Sequence, residues 1–141
     1  MQSYYKIWMH FVWTTYRRQK LINNNMMQSL SKHIIENGKE KGYYIDSING
    51  VLDHIHLLVR LTPTQNPADC ANLLKGESSN WVNKNNFIKG KFSWQKGYGV
   101  FSVSESQVNK VRNYILDQED HHRKKSYQEE LASLLKHFGL D

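Results

Sequence analysis

The chain has 141 residues, 19 Lys+Arg against 13 Asp+Glu, a formal net charge of +6 and 39% apolar side chains. That is the size of one domain, too short for a (β/α)₈ barrel of roughly 250 residues, and no stretch approaches the ~20 apolar residues of a bilayer span. The single cysteine, Cys70, excludes an internal disulfide and a Cys-based zinc cluster. The expectation is one soluble, basic domain spanning 1–141, in a reducing compartment, whose opening Met1–Lys6 does not read as a signal peptide.

Residues 4–14 are aromatic and β-branched and predict a strand. A polar loop follows over 17–25. From Met26 to Lys41, apolar Met26, Met27, Leu30, Ile34 and Ile35 recur at helical spacing, and Gly42 is the stop. Tyr43–Asn49 and Val51–Leu61 predict two strands paired through a tight turn at Asn49-Gly50. Asn66-Pro67-Ala68-Asp69 has the composition of a helix start, with Asn66 as the cap, and that helix runs to about Asn83 with Gly76 interrupting it. A basic loop spans 84–97 and a short strand 98–103. Ser104-Glu105-Ser106-Gln107 predicts a capping box opening a helix to about Asp120. Ser126-Tyr127-Gln128-Glu129 predicts a second, opening an amphipathic helix with Leu131, Leu134, Leu135 and Phe138, ended by Gly139. The order β-α-β-β-α-β followed by two helices predicts a ferredoxin-like α+β fold, an antiparallel sheet with helices on one face.

Charge is unevenly spread. Five lysines (75, 84, 89, 91 and 96) stand against one acid, Glu77, between Lys75 and Lys96, interleaved with Trp81, Phe87, Phe92, Trp94 and the adjacent Tyr98. Arg17, Arg18 and Lys20 form a second cluster, and Arg123, Lys124 and Lys125 a third. Lysines track phosphates and aromatic faces stack on bases. The same pattern equally describes a solvated basic surface over an aromatic core.

Two constellations carry chemistry. In Asp53-His54-Ile55-His56-Leu57-Leu58-Val59 the two histidines are two apart on a predicted strand and therefore share a face. Paired imidazoles begin a metal site but need a third ligand from elsewhere; without one they are ordinary strand residues. Asp53, adjacent to His54, cannot share its face and reads as a structural residue or as a support behind the ligand histidine. In Val111–Gln118, Tyr114 and Gln118 are four apart on a predicted helix, so a phenol and an amide share one face, as they also would on an ordinary amphipathic surface. His10, His121 and His122 are candidates for structural or DNA-contacting roles, and each reads more simply as an ordinary polar residue. Met26, Met27 and the tryptophans read as core.

Taken together, these segments resemble the single-tyrosine HUH (His-hydrophobic-His) transposases of the insertion-sequence-200-like family. The resemblance rests on Phe11–Arg18, Asp53–Val59, Trp94–Gly99 and Tyr114–Gln118, in the family's order, with Lys75–Ser79 and His121-His122 as further matching segments. It implies that His54, His56 and Gln118 hold a divalent metal, Mg²⁺ or Mn²⁺, and that Tyr114 is the nucleophile. It implies a metal-dependent transposase that cuts and rejoins single-stranded DNA, with hairpin ends, through a 5′-phosphotyrosine. With the charge distribution, it makes Arg17, Arg18, Lys75, Lys84, Lys89, Lys91 and Lys96 the expected phosphate contacts. It further implies a homodimer in the cytoplasm of a bacterium or archaeon, with no membrane association and no organic cofactor. Ser126–Leu140 runs past the point where compact members end, and is expected to pack on the sheet, brace a dimer or bind DNA. Two other functions fit parts of the pattern: a domesticated binder of structured single strands, which has no need of the full His54, His56, Tyr114 and Gln118 set, and a ferredoxin-like RNA-binding domain, which has no need of paired histidines.

Overall fold

The computed structural model describes residues 1–120, 122 and 124–141 with their side chains; His121 and Arg123, both singled out above, lie outside the described residues. Four strands, β1 (Ile7–Thr14), β2 (Tyr44–Val51), β3 (His54–Leu61) and β4 (Gly99–Val103), form one antiparallel sheet in the order β2-β3-β1-β4. With helices α1 (Asn24–Glu40) and α2 (Pro67–Lys84) as crossovers, this is the predicted ferredoxin-like plait. Three further helices follow: α3 (Val108–Leu116), α4 (Gln118–Lys124) and α5 (Tyr127–His137).

Strand alternation divides the sheet into two faces. Phe11, Trp13, Ile55, Leu57 and Val59 pack against Met27, Leu30 and Ile34 of α1 and Ala71 and Leu74 of α2 in the main core. Trp8 and Leu58 point the other way, onto Val108 and Ile115 of α3. Helices therefore cover both faces, not one. The run Leu57-Leu58-Val59 is fully buried, as expected of a central strand enclosed on both sides. Among the aromatics interleaved with the lysines, Phe92 and Trp94 are core, whereas Phe87 and Tyr98 are exposed.

Local chemistry sets most helix starts. Asn23 accepts from the Met26 amide, Asn66 from the Asp69 amide, and Ser126 and Glu129 form a complete capping box. Ser104 makes no side-chain cap; a 3₁₀ turn over Glu105–Gln107 intervenes before α3. Gly76 leaves α2 uninterrupted.

Two corrections bear on the site. The β2–β3 hairpin turns at Leu52-Asp53, because Asn49 and Gly50 lie within the ladder opposite His56 and Ile55. Leu52 tolerates φ +41° because its carbonyl accepts from the Leu21 and Ile22 amides. Gly50 is needed for close approach instead: a Cβ there would sit 2.1 Å from the His54 carbonyl oxygen. His54 thereby becomes the first residue of β3, with Asp53 in the turn beside it. Second, the helix predicted to run to Asp120 breaks at Asp117 (φ −95°, ψ 21°), placing Tyr114 near the end of α3 and Gln118 at the start of α4.

Candidate metal and nucleophile site

His54 and His56 project from β3 onto the sheet face covered by α3–α5, and both are fully buried. Asp53, from the turn, accepts a hydrogen bond from His54 Nδ1 at 2.8 Å, which turns His54 Nε2 toward the helices. His56 is fixed from its far side by His10 of β1, whose Nε2 lies 2.8 Å from His56 Nδ1. A carboxylate or imidazole behind a metal-binding histidine sets its tautomer and aims its free nitrogen.

Those aimed nitrogens converge on a residue the sequence reading did not select. Glu130, on α5, is only 3% exposed. Its Oε1 lies 2.8 Å from His56 Nε2, 3.3 Å from His54 Nε2 and 3.4 Å from His122 Nε2. Its Oε2 accepts a short hydrogen bond from the Tyr114 hydroxyl, and Gln118 Nε2 stands 3.3 Å away. The Tyr114 ring packs edge-on against His10 and His56, with centroids 6.2 and 5.7 Å apart. One carboxylate thus gathers every residue expected to act in catalysis or metal binding: His54, His56, Tyr114 and Gln118. The available sequence signal was a carboxylate on the apolar stripe of α5, three residues after Tyr127 and four before Leu134.

The electrostatics follow from burial. Desolvation opposes a charge on Glu130, yet the imidazoles of His54 and His56 and the Tyr114 hydroxyl against it hold its carboxyl far below the usual range. Burial, then the Glu130 charge, push the Tyr114 phenol well above its ordinary value. Burial also lowers His56. For His54 burial acts the same way, but Asp53 and Glu130 outweigh it and raise the group. His10 is pushed down to about 3, by burial first and the neighbouring His56 second.

Neutral His10 is therefore the native form. The unfolded chain takes up its proton below about pH 6.5, so the stability His10 contributes is present above that pH and lost as pH falls toward 3. Between pH 7.5 and 5 the wild-type chain is expected to lose about 2 kcal/mol more than a His10→Gln variant. Thermal melts of the two at both pH values measure this difference, because other titrating groups are common to both; parallel losses would remove the assignment.

The donors suit a divalent ion. His54 Nε2, His122 Nε2 and Gln118 Oε1 are buried atoms with no hydrogen-bond partner among the described residues. One ligand atom each from His54, His122 and Glu130 lies within 4.8 Å of the others. Such orphaned atoms are costly unless something binds them.

The basic residues divide. A cleft of about 410 Å³ beside the site is lined by Arg17, Arg18, Lys20, Asp53 and His122. Lys84, Lys89, Lys91 and Lys96 are exposed on the 84–97 segment. Lys75 differs: its ammonium donates to the carbonyls of Gln95 and Gly97 at 2.8 and 2.7 Å and pins that loop.

Comparison with known proteins agrees with this geometry. The family model described as "Transposase IS200 like" matches residues 3–118. The ISDra2 transposase TnpA of Deinococcus radiodurans is 24% identical over 121 residues, covering 82% of this chain and 86% of that protein. A transposase-like crystal structure from D. radiodurans R1 shares the fold with a TM-score of 0.67 at 24% identity, over 84% of this chain and 95% of the other. A REP-associated tyrosine transposase bound to a REP hairpin superposes with a TM-score of 0.61 at 16% identity, over 86% and 74%. A family match over most of the chain, on a fold that sets an HUH pair against a tyrosine, makes this protein a member of the IS200-like transposase family.

Proposed function

We propose that the chain cleaves and rejoins single-stranded DNA through a covalent 5′-phosphotyrosine on Tyr114. The observation that carries this reading is the meeting of the Tyr114 hydroxyl and the paired imidazoles on one buried carboxylate, within a single chain. A homodimer, which the resemblance implies, is not needed to complete that arrangement.

The tyrosine oxygen attacks the scissile phosphorus, a P–O(Tyr) bond forms and the P–O3′ bond breaks. The 3′ oxygen leaves with a proton as a free hydroxyl, and Glu130 Oε2 is the acceptor within reach of the phenolic proton. In the return step a 3′-hydroxyl attacks the phosphotyrosine, the P–O(Tyr) bond breaks and Tyr114 recovers its proton. Bond energy is conserved, so no nucleotide triphosphate is consumed. Mg²⁺ or Mn²⁺ held by His54, His56 and Gln118 would polarise the phosphate and offset its developing charge. Two hollows, of about 460 and 300 Å³, flank Tyr114 and leave room for a strand on either side.

Arg17 and Arg18, at the cleft beside His122, are assigned to the phosphates nearest the site, and Lys84, Lys89, Lys91 and Lys96 to the flanking DNA. Lys75 holds the lysine-bearing loop and reaches phosphate only by releasing it. A solved neighbour of this fold is bound to a REP hairpin, and a single-stranded DNA with a hairpin is the substrate proposed here. Hairpin affinity is expected to fall steeply with salt. Replacing Lys84, Lys89, Lys91 and Lys96 with Gln should flatten the log–log slope by about 0.7 for each phosphate contact removed. A salt titration of fluorescent hairpin binding reads this directly, and an unchanged slope would displace the DNA path from this segment.

The test of the reaction is a denaturing gel. Protein is incubated with Mg²⁺ and single-stranded oligonucleotides carrying the DNA that flanks its own gene. A denaturation-resistant conjugate on the 5′ end of the fragment lying 3′ of the cut, with a free 3′-hydroxyl on the other fragment, supports the reading; cleavage without a conjugate, or no cleavage of either strand, rejects it.

A further inference from the structure

We propose that Glu130 and His122 are metal ligands in this chain, so that the ion's site is closed by the segment following the tyrosine helix. The inference deepens the proposed function and rests on it only for the identity of the ion.

Both residues lie beyond residue 118, where the family match ends. Glu130 Oε1 is the common neighbour of three imidazole nitrogens, at 2.8, 3.3 and 3.4 Å. Separations near 3 Å are those of adjacent donor atoms around one ion with bonds of about 2.1 Å. Hydrogen bonding accounts for only part of the cluster: His56 Nε2 is bonded to the carboxylate at 2.8 Å, whereas His54 Nε2 and His122 Nε2 face the same oxygen at 3.3 and 3.4 Å without a well-directed hydrogen bond. A cation between them would bind both nitrogens and the carboxylate at once. His122 is also placed for this role: its ring packs edge-on against His54, with centroids 4.5 Å apart. The complete capping box at Ser126 and Glu129 fixes the first turn of α5, and so the direction in which Glu130 enters the site.

The arrangement gives Glu130 two roles on its two oxygens. Oε1 faces the imidazoles, while Oε2 seats the tyrosine hydroxyl. Ion and nucleophile are thereby held in register by one side chain, and a ligand set of two strand histidines, His122 and a carboxylate replaces reliance on Gln118 as the sole third donor. The carboxylate oxygen suits a hard ion, and the imidazoles beside it favour Mn²⁺ over Mg²⁺.

The experiment is Mn²⁺ binding to the full chain, followed by loss of the free-ion electron paramagnetic resonance signal and needing no DNA. The wild type is expected to bind one ion per chain. Glu130→Gln and His122→Asn should each bind at least about tenfold more weakly. Lys136→Gln, an exposed position in the last turn of the same helix, should match the wild type. Circular dichroism checks the fold of each variant. If Glu130→Gln fails to fold, His122→Asn decides, since that side chain is partly solvent-exposed. Wild-type affinity in either folded variant overturns the proposal, as does a wild type that takes up no Mn²⁺ at millimolar ion. The covalent-adduct gel is read separately. An adduct with Glu130-independent Mn²⁺ binding removes this inference alone, and Glu130-dependent binding without an adduct removes the transposase reaction alone.

Discussion

Replacing Tyr114 by phenylalanine is expected to eliminate the covalent protein–DNA conjugate and lower strand cleavage by at least about 10⁴-fold, the scale of losing a nucleophile outright. Hairpin binding should stay within a few-fold of wild type. The substitution is a narrow probe because the ring remains. The contacts with His10 and His56 and the fit at the end of α3 are those of an aromatic ring, not of its hydroxyl. What disappears is one donor to Glu130 Oε2, which keeps Gln118 Nε2 at 3.3 Å. Losing one such bond costs about 1–2 kcal/mol, small enough for the domain to stay folded. A melting curve and a hairpin titration beside the conjugate gel therefore separate lost chemistry from lost structure. A conjugate persisting in the Phe variant would transfer the nucleophile's role to another residue.

Most of the sheet was legible because its determinants are local. Alternating β-branched and aromatic residues, Asn caps and a Ser-x-x-Glu box act within a few residues, and strand order follows once two crossovers separate the strands. The hairpin turn was misplaced because Asn-Gly is the strongest short-range turn signal, whereas here Gly50 answers to a strand passing 2.1 Å from where a side chain would begin. That constraint comes from pairing with β3 and leaves no local trace. The site divides in the same way. His54 and His56 announce themselves by their spacing, and Asp53, expected as a structural or supporting residue, backs the His54 imidazole from the shifted turn. Glu130 is 74 residues from His56. In the sequence it stands among the apolar residues of an amphipathic helix, and only the placement of α5 against the face opposite α1 and α2 turns it inward. The partner of His10, a candidate for a structural role, was unreadable for the same reason. A histidine in a strand becomes a partner of His56 only through the β1–β3 register, which sets His10 opposite Leu58 and Val12 opposite His56.

The second large effect is expected from His56→Ala, which should reduce Mg²⁺- or Mn²⁺-dependent cleavage by roughly 10³-fold, matching the several kcal/mol a positioned cation contributes to a phosphoryl transition state. His56 is fully buried and sits between two polar groups that depend on it, His10 at Nδ1 and Glu130 at Nε2. Alanine would remove the proposed ligand and also leave a buried carboxylate with one fewer imidazole and a buried histidine without its partner. Stability should therefore fall too, by about 2–4 kcal/mol. The two effects separate by temperature and by ion. Assayed well below the variant's melting point, a purely structural defect would spare cleavage at saturating metal, whereas a lost ligand leaves the reaction slow at every ion concentration. Hairpin binding should survive, because the residues assigned to phosphate, Arg17, Arg18 and the exposed lysines from 84 to 96, make no contact with His56. Cleavage at the wild-type rate in a folded His56→Ala chain would detach the paired histidines from the reaction, and the carboxylate that gathers them would then be an element of packing alone.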